Sequence, residues 1–268
     1  MNTATAKRTA PVAGTVPKIR VRGLKKSFGE NWVLNGVDLD VMPGESVVLV
    51  GRSGSGKSVL GKCILGLMEP DEGTVEIDGK NVAQMPRRER DAAYAKFGAL
   101  FQNGALFDSL LVWQNVSFAL MSARGWKADK AKKLAVDRLR DVGMDGAVGD
   151  LFPAELSGGM QKRAAFARAI AASPEIVVLD DPTAGLDPIV TAAISKLIQK
   201  IIKDAGATAL SITQDLTVIH NIGHRVAMLY DGKIIWTGPA TTVEKSGDKY
   251  VEQLINGRRQ GPIPTDVV

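Results

Sequence analysis

Apolar alternation and apolar runs divide this chain before any motif is considered. Between residues 19 and 41, apolar side chains fall at Ile19, Val21, Val33, Leu34, Val37, Leu39 and Val41, mostly at the period-two spacing of half-buried strands. Pro43-Gly44-Glu45 is a turn signal, and Ser46-Val47-Val48-Leu49-Val50 is a continuous run suited to a buried strand. A helix follows through Val59, Leu60, Cys63, Ile64 and Leu67, and Glu69-Pro70-Asp71-Glu72-Gly73 breaks it. A short hairpin is expected from Thr74–Ile77 and Asn81-Val82 about Asp78-Gly79-Lys80. Residues 103–155 read as mainly helical, with Trp113, Val116 and Leu120 on one face and a charged amphipathic helix from Asp129 to Val142. Another helix spans Gly158 to Ala172. Short strands are expected at Ile176–Leu179 and Ala207–Thr213, then a helix near Leu216–Ile222. Two last strands, Arg225–Tyr230 and Lys233–Trp236, flank the Asp231-Gly232 turn. This alternation predicts an α/β fold with a mostly parallel sheet and an inserted helical subdomain at about 103–170.

Composition narrows the setting. The 268 residues are 45% hydrophobic and 24% charged, ordinary for a globular protein. No apolar run approaches the roughly 20 residues that span a bilayer. The N-terminus lacks the apolar stretch of a signal peptide, so a cytoplasmic location is expected, with any membrane role acting through a partner. The single cysteine, Cys63, excludes an internal disulfide and reads as a packed, inert thiol. The net charge is +5, yet residues 1–29 hold seven bases and no acid, leaving −2 on the rest. That basic front is read as a disordered leader over 1–18 followed by an edge strand with exposed bases. No aromatic-interleaved basic motif suggests nucleic acid.

The chemistry concentrates in a few segments. Gly51-Arg52-Ser53-Gly54-Ser55-Gly56-Lys57-Ser58 matches the phosphate-binding pattern G-x-x-x-x-G-K-[ST] and lies between the apolar strand and a helix, as that motif requires. Its backbone N–H groups can wrap a polyphosphate, Lys57 can reach the β- and γ-phosphates, and the Ser58 hydroxyl can ligate Mg²⁺. Asp180, ending an apolar strand, fits a second Mg²⁺ ligand, the alternative being a helix cap. Gln102 follows Leu100-Phe101, where its amide can touch both Mg²⁺ and a nucleophilic water. Phe28 can stack on adenine or pack in a core.

Taken together, Gly51–Ser58, Gln102, Ser157-Gly158-Gly159-Met160-Gln161, Ile176–Asp180 and Ala184-Gly185-Leu186-Asp187-Pro188 resemble the nucleotide-binding subunit of ABC transporters over about residues 19–242. The resemblance implies a P-loop NTPase core with an antiparallel β subdomain and an inserted helical subdomain, using ATP and Mg²⁺. It implies two subunits head to tail, with Ser157, Gly158, Gly159 and Gln161 of one closing on ATP held by the other, and Asp187 at the dimer contact. A helix N-terminus suits that anion-facing role. Leu100–Phe107, together with the C-terminal Tyr250–Gly257 and Gly261–Pro264, is similar to ATPases of Mla/MCE-type lipid transporters. That narrower likeness implies phospholipid transport between bacterial membranes and a place on the cytoplasmic face of the inner membrane. Its implied partners are a permease, an MCE-domain lipid-binding protein and a small cytoplasmic accessory subunit. It also implies that residues 243–268 reach the second ATPase subunit, the alternative being a frayed tail.

Two positions depart from that family's pattern. Where a Glu usually orients the attacking water, Asp181 stands, shorter in reach by about 1.5 Å. Where a His is usual, Thr213-Gln214-Asp215 offers an amide that donates a hydrogen bond but cannot become cationic. His220 and His224 do not replace it and read as structural or exposed. The expectation is intact ATP binding with hydrolysis slowed through Asp181 and Gln214.

Overall fold

The computed structural model describes residues 15–102 and 104–264. β1 (Ile19–Phe28) and β2 (Asn31–Val41) form an antiparallel hairpin whose alternation buries Ile19, Val21, Leu24, Leu34, Val37, Leu39 and Val41. β3 (Ser46–Val50) leads through the glycine-rich loop into α1 (Lys57–Ile64), and β4 (Glu72–Ile77) and β5 (Lys80–Asn81) close a four-stranded antiparallel sheet ordered β2-β1-β4-β5. After α2 (Arg87–Tyr94) and β6 (Phe97–Leu100) come three helices with no strand between them: α3 (Val112–Arg124), α4 (Ala128–Asp141) and α5 (Gly158–Ile170). The chain returns through β7 (Ile176–Asp180), α6 (Pro188–Ala205), β8 (Thr208–Ile212), α7 (Leu216–Ile222), β9 (Arg225–Tyr230), β10 (Lys233–Pro239) and α8 (Lys249–Ile255).

The second sheet is ordered β10-β9-β3-β8-β7-β6 and is parallel except for β10. Its strands β3 and β8 are buried along their whole length and mainly apolar because both faces are covered. Val47 and Leu49 of β3 face a core shared with α1 and the antiparallel sheet, while Val48 and Val50 face the core under the helices. Cys63 packs on the α1 side, where burial pushes its thiol up to about 11, so it is inert.

The Arg225 guanidinium ties β9 to the turn before β3, donating to both Glu45 carboxylate oxygens (2.7 and 2.9 Å) and to the Asp40 carbonyl. Arg225→Ala leaves Glu45 largely buried with only the Met42 N–H as partner, and is expected to cost about 2–3 kcal/mol, read as a lowered denaturant midpoint.

Several sequence expectations change. Residues 104–111 form an irregular segment, not a helix, because Gly104 (φ 71°) and Ala105 (φ 50°) are left-handed. α2, β6, α6 and α8 were not anticipated. Residues 15–18 leave the expected leader: Pro17 is buried, and Lys18 pairs with Asp78 and Glu175. Residues 1–14, Asn103 and 265–268 lie outside the described residues. The five described bases of the basic front each pair with an acid: Lys18, Arg20 with Asp40 and Glu76, Arg22 with Asp40, Lys25 with Glu72, and Lys26 with Asp71. Residues 243–264 are not frayed. Val243, Val251, Ile255 and Ile263 enter the helical core, and the buried Gln253 amide exchanges hydrogen bonds with the Ile263 N–H and C=O.

Candidate active site

Four neighbouring parallel strands end along one edge of the sheet, and each delivers a candidate residue there. β3 runs into Gly51, β8 into Thr213-Gln214, β7 into Asp180-Asp181, and β6 into Phe101-Gln102. The register aligns Leu49 with Ile212, Ile212 with Asp180, and Leu179 with Leu100. Residues far apart in sequence thus meet because strands of an open α/β sheet present their carboxyl ends together.

The glycine-rich loop is shaped by close approach. A Cβ at Gly51 would stand 2.4 Å from the Leu229 carbonyl oxygen and 2.8 Å from Ser55 Oγ. Gly56 has φ 96°, and a Cβ there would meet Val33 and Leu34 at 2.9 Å. Gly56 caps α1 without a side-chain acceptor, so the first N–H groups of that helix are left to a ligand. Ser55 Oγ is buried with no hydrogen-bond partner among the described residues. Lys57 donates to the Gly51 and Arg52 carbonyls, both at 2.7 Å. Burial lowers the Lys57 pKa, and the Asp181 and Asp180 carboxylates partly offset this. An uncapped helix end, an orphaned hydroxyl and a desolvated ammonium held only by carbonyls fit a polyphosphate. Arg52, Ser53 and Gly54 lie exposed on the outer turn of the loop.

Ser58 and Asp180 line one small cleft together with Phe101, an oxygen pair suited to Mg²⁺. Gln102 is exposed at the mouth of that edge. Asp181 has φ 50°, its N–H donates to the Ile212 carbonyl (2.8 Å), and the Thr213 hydroxyl donates to its carboxylate at 3.4 Å. Burial, then the neighbouring Asp180 charge, raises the Asp181 pKa, against the pull of Lys162, Thr213 and Lys57. The Gln214 amide donates to the Gly51 carbonyl, so it shares an acceptor with Lys57. His224 accepts from the Ser46 N–H, and His220 sits by Glu244 at 3.4 Å, so neither stands in for Gln214. Phe28 is 51% exposed at the tip of the β1–β2 hairpin, which excludes the core-packing alternative. That hairpin borders the loop through Val33 and Leu34.

The Ser157 segment stands apart. Ser157 caps α5 through its hydroxyl, which accepts from the Met160 N–H at 3.3 Å, and Ser157 and Gly158 are exposed. A Cβ on Gly158 would touch nothing within 4 Å, and one on Gly159 only Leu186. Nothing among the described residues therefore requires glycine at either position. Gln161 braces the preceding turn, its amide nitrogen donating to Pro153 (2.9 Å) and Leu156 (3.3 Å) carbonyls. Asp187 caps α6, accepting from the Ile189 and Val190 N–H groups, and leaves Ile189 83% exposed.

Three residues were missed by sequence reasoning. Thr213 reaches Asp181; Lys162 donates to the Ala184 carbonyl and lies within electrostatic reach of Asp181; Arg168 grips the segment after Gln102. Thr213 had a signal in its place beside Gln214, whereas the other two contacts depend on tertiary packing.

A family model described as ABC transporter matches residues 34–184. The probable ribonucleotide transport ATP-binding protein mkl of Mycobacterium leprae is 38% identical over 245 residues, 91% of this chain and 70% of that protein. The intermembrane phospholipid transport system ATP-binding protein MlaF of Escherichia coli K12 is 33% identical over 246 residues, 92% of this chain and 91% of that protein. Among solved structures, the dimeric post-hydrolysis ATP-binding cassette MJ0796 bound to ADP and Pi gives a TM-score of 0.76 at 31% identity, covering 83% of this chain and 98% of that one.

Proposed function

Because this chain belongs to the ABC transporter ATP-binding family, we propose that it drives phospholipid between bacterial membranes as a head-to-tail dimer beneath a permease. As a member of that family it is an ATPase that uses ATP with Mg²⁺. The observation that carries the site assignment is the convergence of four strand ends on the glycine-rich loop.

On this reading the loop N–H groups, Ser55 and Lys57 hold the phosphates, and Phe28 stacks on adenine. Ser58, Asp180 and Gln102 would hold Mg²⁺, which supplies positive charge to the phosphate oxygens. Asp181 accepts a hydrogen bond, then the proton, from the water whose oxygen bonds to the γ-phosphorus as the bond to the leaving oxygen breaks. Gln214 donates its amide hydrogen to a γ-phosphate oxygen after leaving the Gly51 carbonyl. Ser157, Gly158, Gly159 and Gln161 of the second copy cover the γ-phosphate, and Asp187 with Ile189 lies at the dimer contact. The open space about Gly158 and Gly159 supports this, as does the dimer seen for MJ0796.

The permease contact is assigned to Phe107 and Phe118, rings 4.7 Å apart and both exposed beside the Gln102 segment. The likeness to MlaF supports the lipid assignment and, with it, an MCE-domain protein, a small accessory subunit and the cytoplasmic face of the inner membrane. No helix among the described residues is long and apolar enough to cross a membrane, which suits peripheral attachment. Residues 243–264 dock on their own chain and offer the exposed stretch from Asn256 to Pro262 to the second subunit. Acid pairing of the described front-end bases argues against a nucleic-acid partner.

A second reading keeps the motor and changes the cargo, since mkl is described as a ribonucleotide transport protein. Purifying the chain with its membrane partner from detergent-solubilised native membranes separates the two. Co-purifying phospholipid and ATPase stimulation by phospholipid are expected; stimulation by ribonucleotides alone would overturn the lipid reading. A third reading, a nucleotide-dependent clamp that barely hydrolyses ATP, rests on Asp181 and Gln214 and is read from the turnover of the same complex.

A further inference from the structure

The segment that follows Gln102 is held at both ends by side chains from the helical part of the molecule. At its far end the Asn115 amide, fully buried in α3, accepts from the Phe107 N–H (2.7 Å) and donates toward the Phe107, Leu110 and Leu111 carbonyls (3.0 to 3.2 Å). At its near end Arg168, in the last turn of α5, donates from Nη1 to the Ala105 carbonyl and from Nη2 to the Gly104 carbonyl, both at 2.7 Å. The same guanidinium lies 5.9 Å from the centre of the Phe107 ring.

Three further features make this grip specific. Gly104 and Ala105 are consecutive left-handed residues, and Ala105 has a Cβ that disfavours that backbone. A Cβ on Gly104 would stand 3.3 Å from that of Ala165, so the turn is pressed against α5. No carboxylate among the described residues pairs with Arg168; its hydrogen-bond partners are these two carbonyls, and burial lowers its pKa. A planar, two-pronged donor matches two adjacent carbonyls in a way that a lysine ammonium cannot.

We infer that Arg168 is a positioning residue for ATP hydrolysis: its two-pronged grip on Gly104 and Ala105 sets where Gln102 stands relative to Ser58 and Asp180. Because α5 begins at Gly158, capped by Ser157, the same helix that presents Ser157-Gly158-Gly159 to a second copy also holds, through Arg168, the segment that follows Gln102 of its own chain. A shift of α5 on docking is thereby felt at the chain's own cleft, three residues from the clamp. The inference rests on the assignment of Gln102 above, and the test keeps the two apart.

The experiment measures kcat, KM for ATP and the Mg²⁺ concentration for half-maximal rate in the assembled transporter for Arg168→Ala, Arg168→Lys, Gln102→Ala and the Arg168→Ala/Gln102→Ala pair. Arg168→Ala is expected to lower kcat about tenfold and raise the Mg²⁺ requirement, with KM for ATP within about twofold. Arg168→Lys is expected to recover only part of kcat. In the Gln102→Ala background, Arg168→Ala is expected to add less than about a twofold further loss, since both act through one contact. Multiplicative losses in the double variant, with an unchanged Mg²⁺ requirement, would overturn the role of Arg168. A Gln102→Ala variant with unaltered kcat and Mg²⁺ requirement would instead overturn the Gln102 assignment. Should Arg168→Ala fail to fold, Arg168→Lys in both backgrounds carries the same comparison, with the same outcomes decisive.

Discussion

Asp181→Asn is expected to lower ATP turnover by about a hundredfold or more while leaving ATP affinity within about threefold. The asymmetry follows from where Asp181 sits. Its backbone is fixed by the hydrogen bond to Ile212 and its carboxylate by Thr213, beside the loop but outside the set of groups that cradle phosphate. Burial and Asp180 hold its pKa above the ordinary carboxylate value, which strengthens it as a proton acceptor. Its weakness is reach. Asp181→Glu adds one methylene, about 1.5 Å, on a line where misplacement of about 1 Å can cost a hundredfold, so it is expected to raise turnover several-fold. Gln214→His is expected to add to that gain, since an imidazole can become cationic beside the γ-phosphate. Turnover of the assembled transporter, alongside nucleotide titration, measures both. If neither substitution raises the rate, these two residues do not limit the chemistry.

Lys57→Ala is expected to remove most ATP binding and to lower hydrolysis by about a thousandfold. A preorganised, desolvated donor aimed at phosphate contributes about 3–4 kcal/mol, and Lys57 is the cation of the loop that burial has already stripped of water. Its hydrogen-bond acceptors are two carbonyls, one of them shared with Gln214. Stability should therefore fall less than in Arg225→Ala, which breaks a two-pronged ion pair. Isothermal titration with ATP and a melting curve, taken together, separate loss of binding from loss of fold.

Much of this architecture was legible in the sequence because it is written in local signals. Ser46–Val50 and Leu216–Ile222 have the observed bounds, since an apolar run ending in glycines and an Asp cap followed by a periodic stripe each mark themselves. α6 was missed although Asp187-Pro188 at its start, Gly206 at its end and the Ile194, Ile198 and Ile202 stripe announce it. Asp187 and Pro188 also belong to the Ala184–Pro188 motif, which hides their role as a helix start. β6 is four residues long with Gly98 inside it, too brief for periodicity to detect, and Gly98 is there because a Cβ would strike the Ala169 carbonyl at 2.0 Å. The site divides the same way. Contiguous groups such as Gly51–Ser58 were plain, whereas Lys162 and Arg168 reach backbone carbonyls of distant segments and carry no pattern. The helical reading of residues 104–111 fails because two consecutive left-handed residues, Gly104 and Ala105, held by Arg168, keep the segment after β6 irregular without a Pro to mark it.

If one copy's glycine-rich loop needs another copy's Ser157 segment, as proposed above, mixing two defective variants is expected to restore one working site. Lys57→Ala disables the loop and leaves the segment intact. Gly158→Asp has open space in its own chain, so the added carboxylate acts on whatever docks there. Each variant, carrying a different fluorophore, is mixed with the other, and ATP-driven association is read by energy transfer. Neither variant should associate with itself on adding ATP, whereas the mixture should, because pairing them rebuilds one whole site from the loop of one and the segment of the other. A mixture that responds to ATP no more than either variant alone would show that each copy builds its site without the other's Ser157 segment.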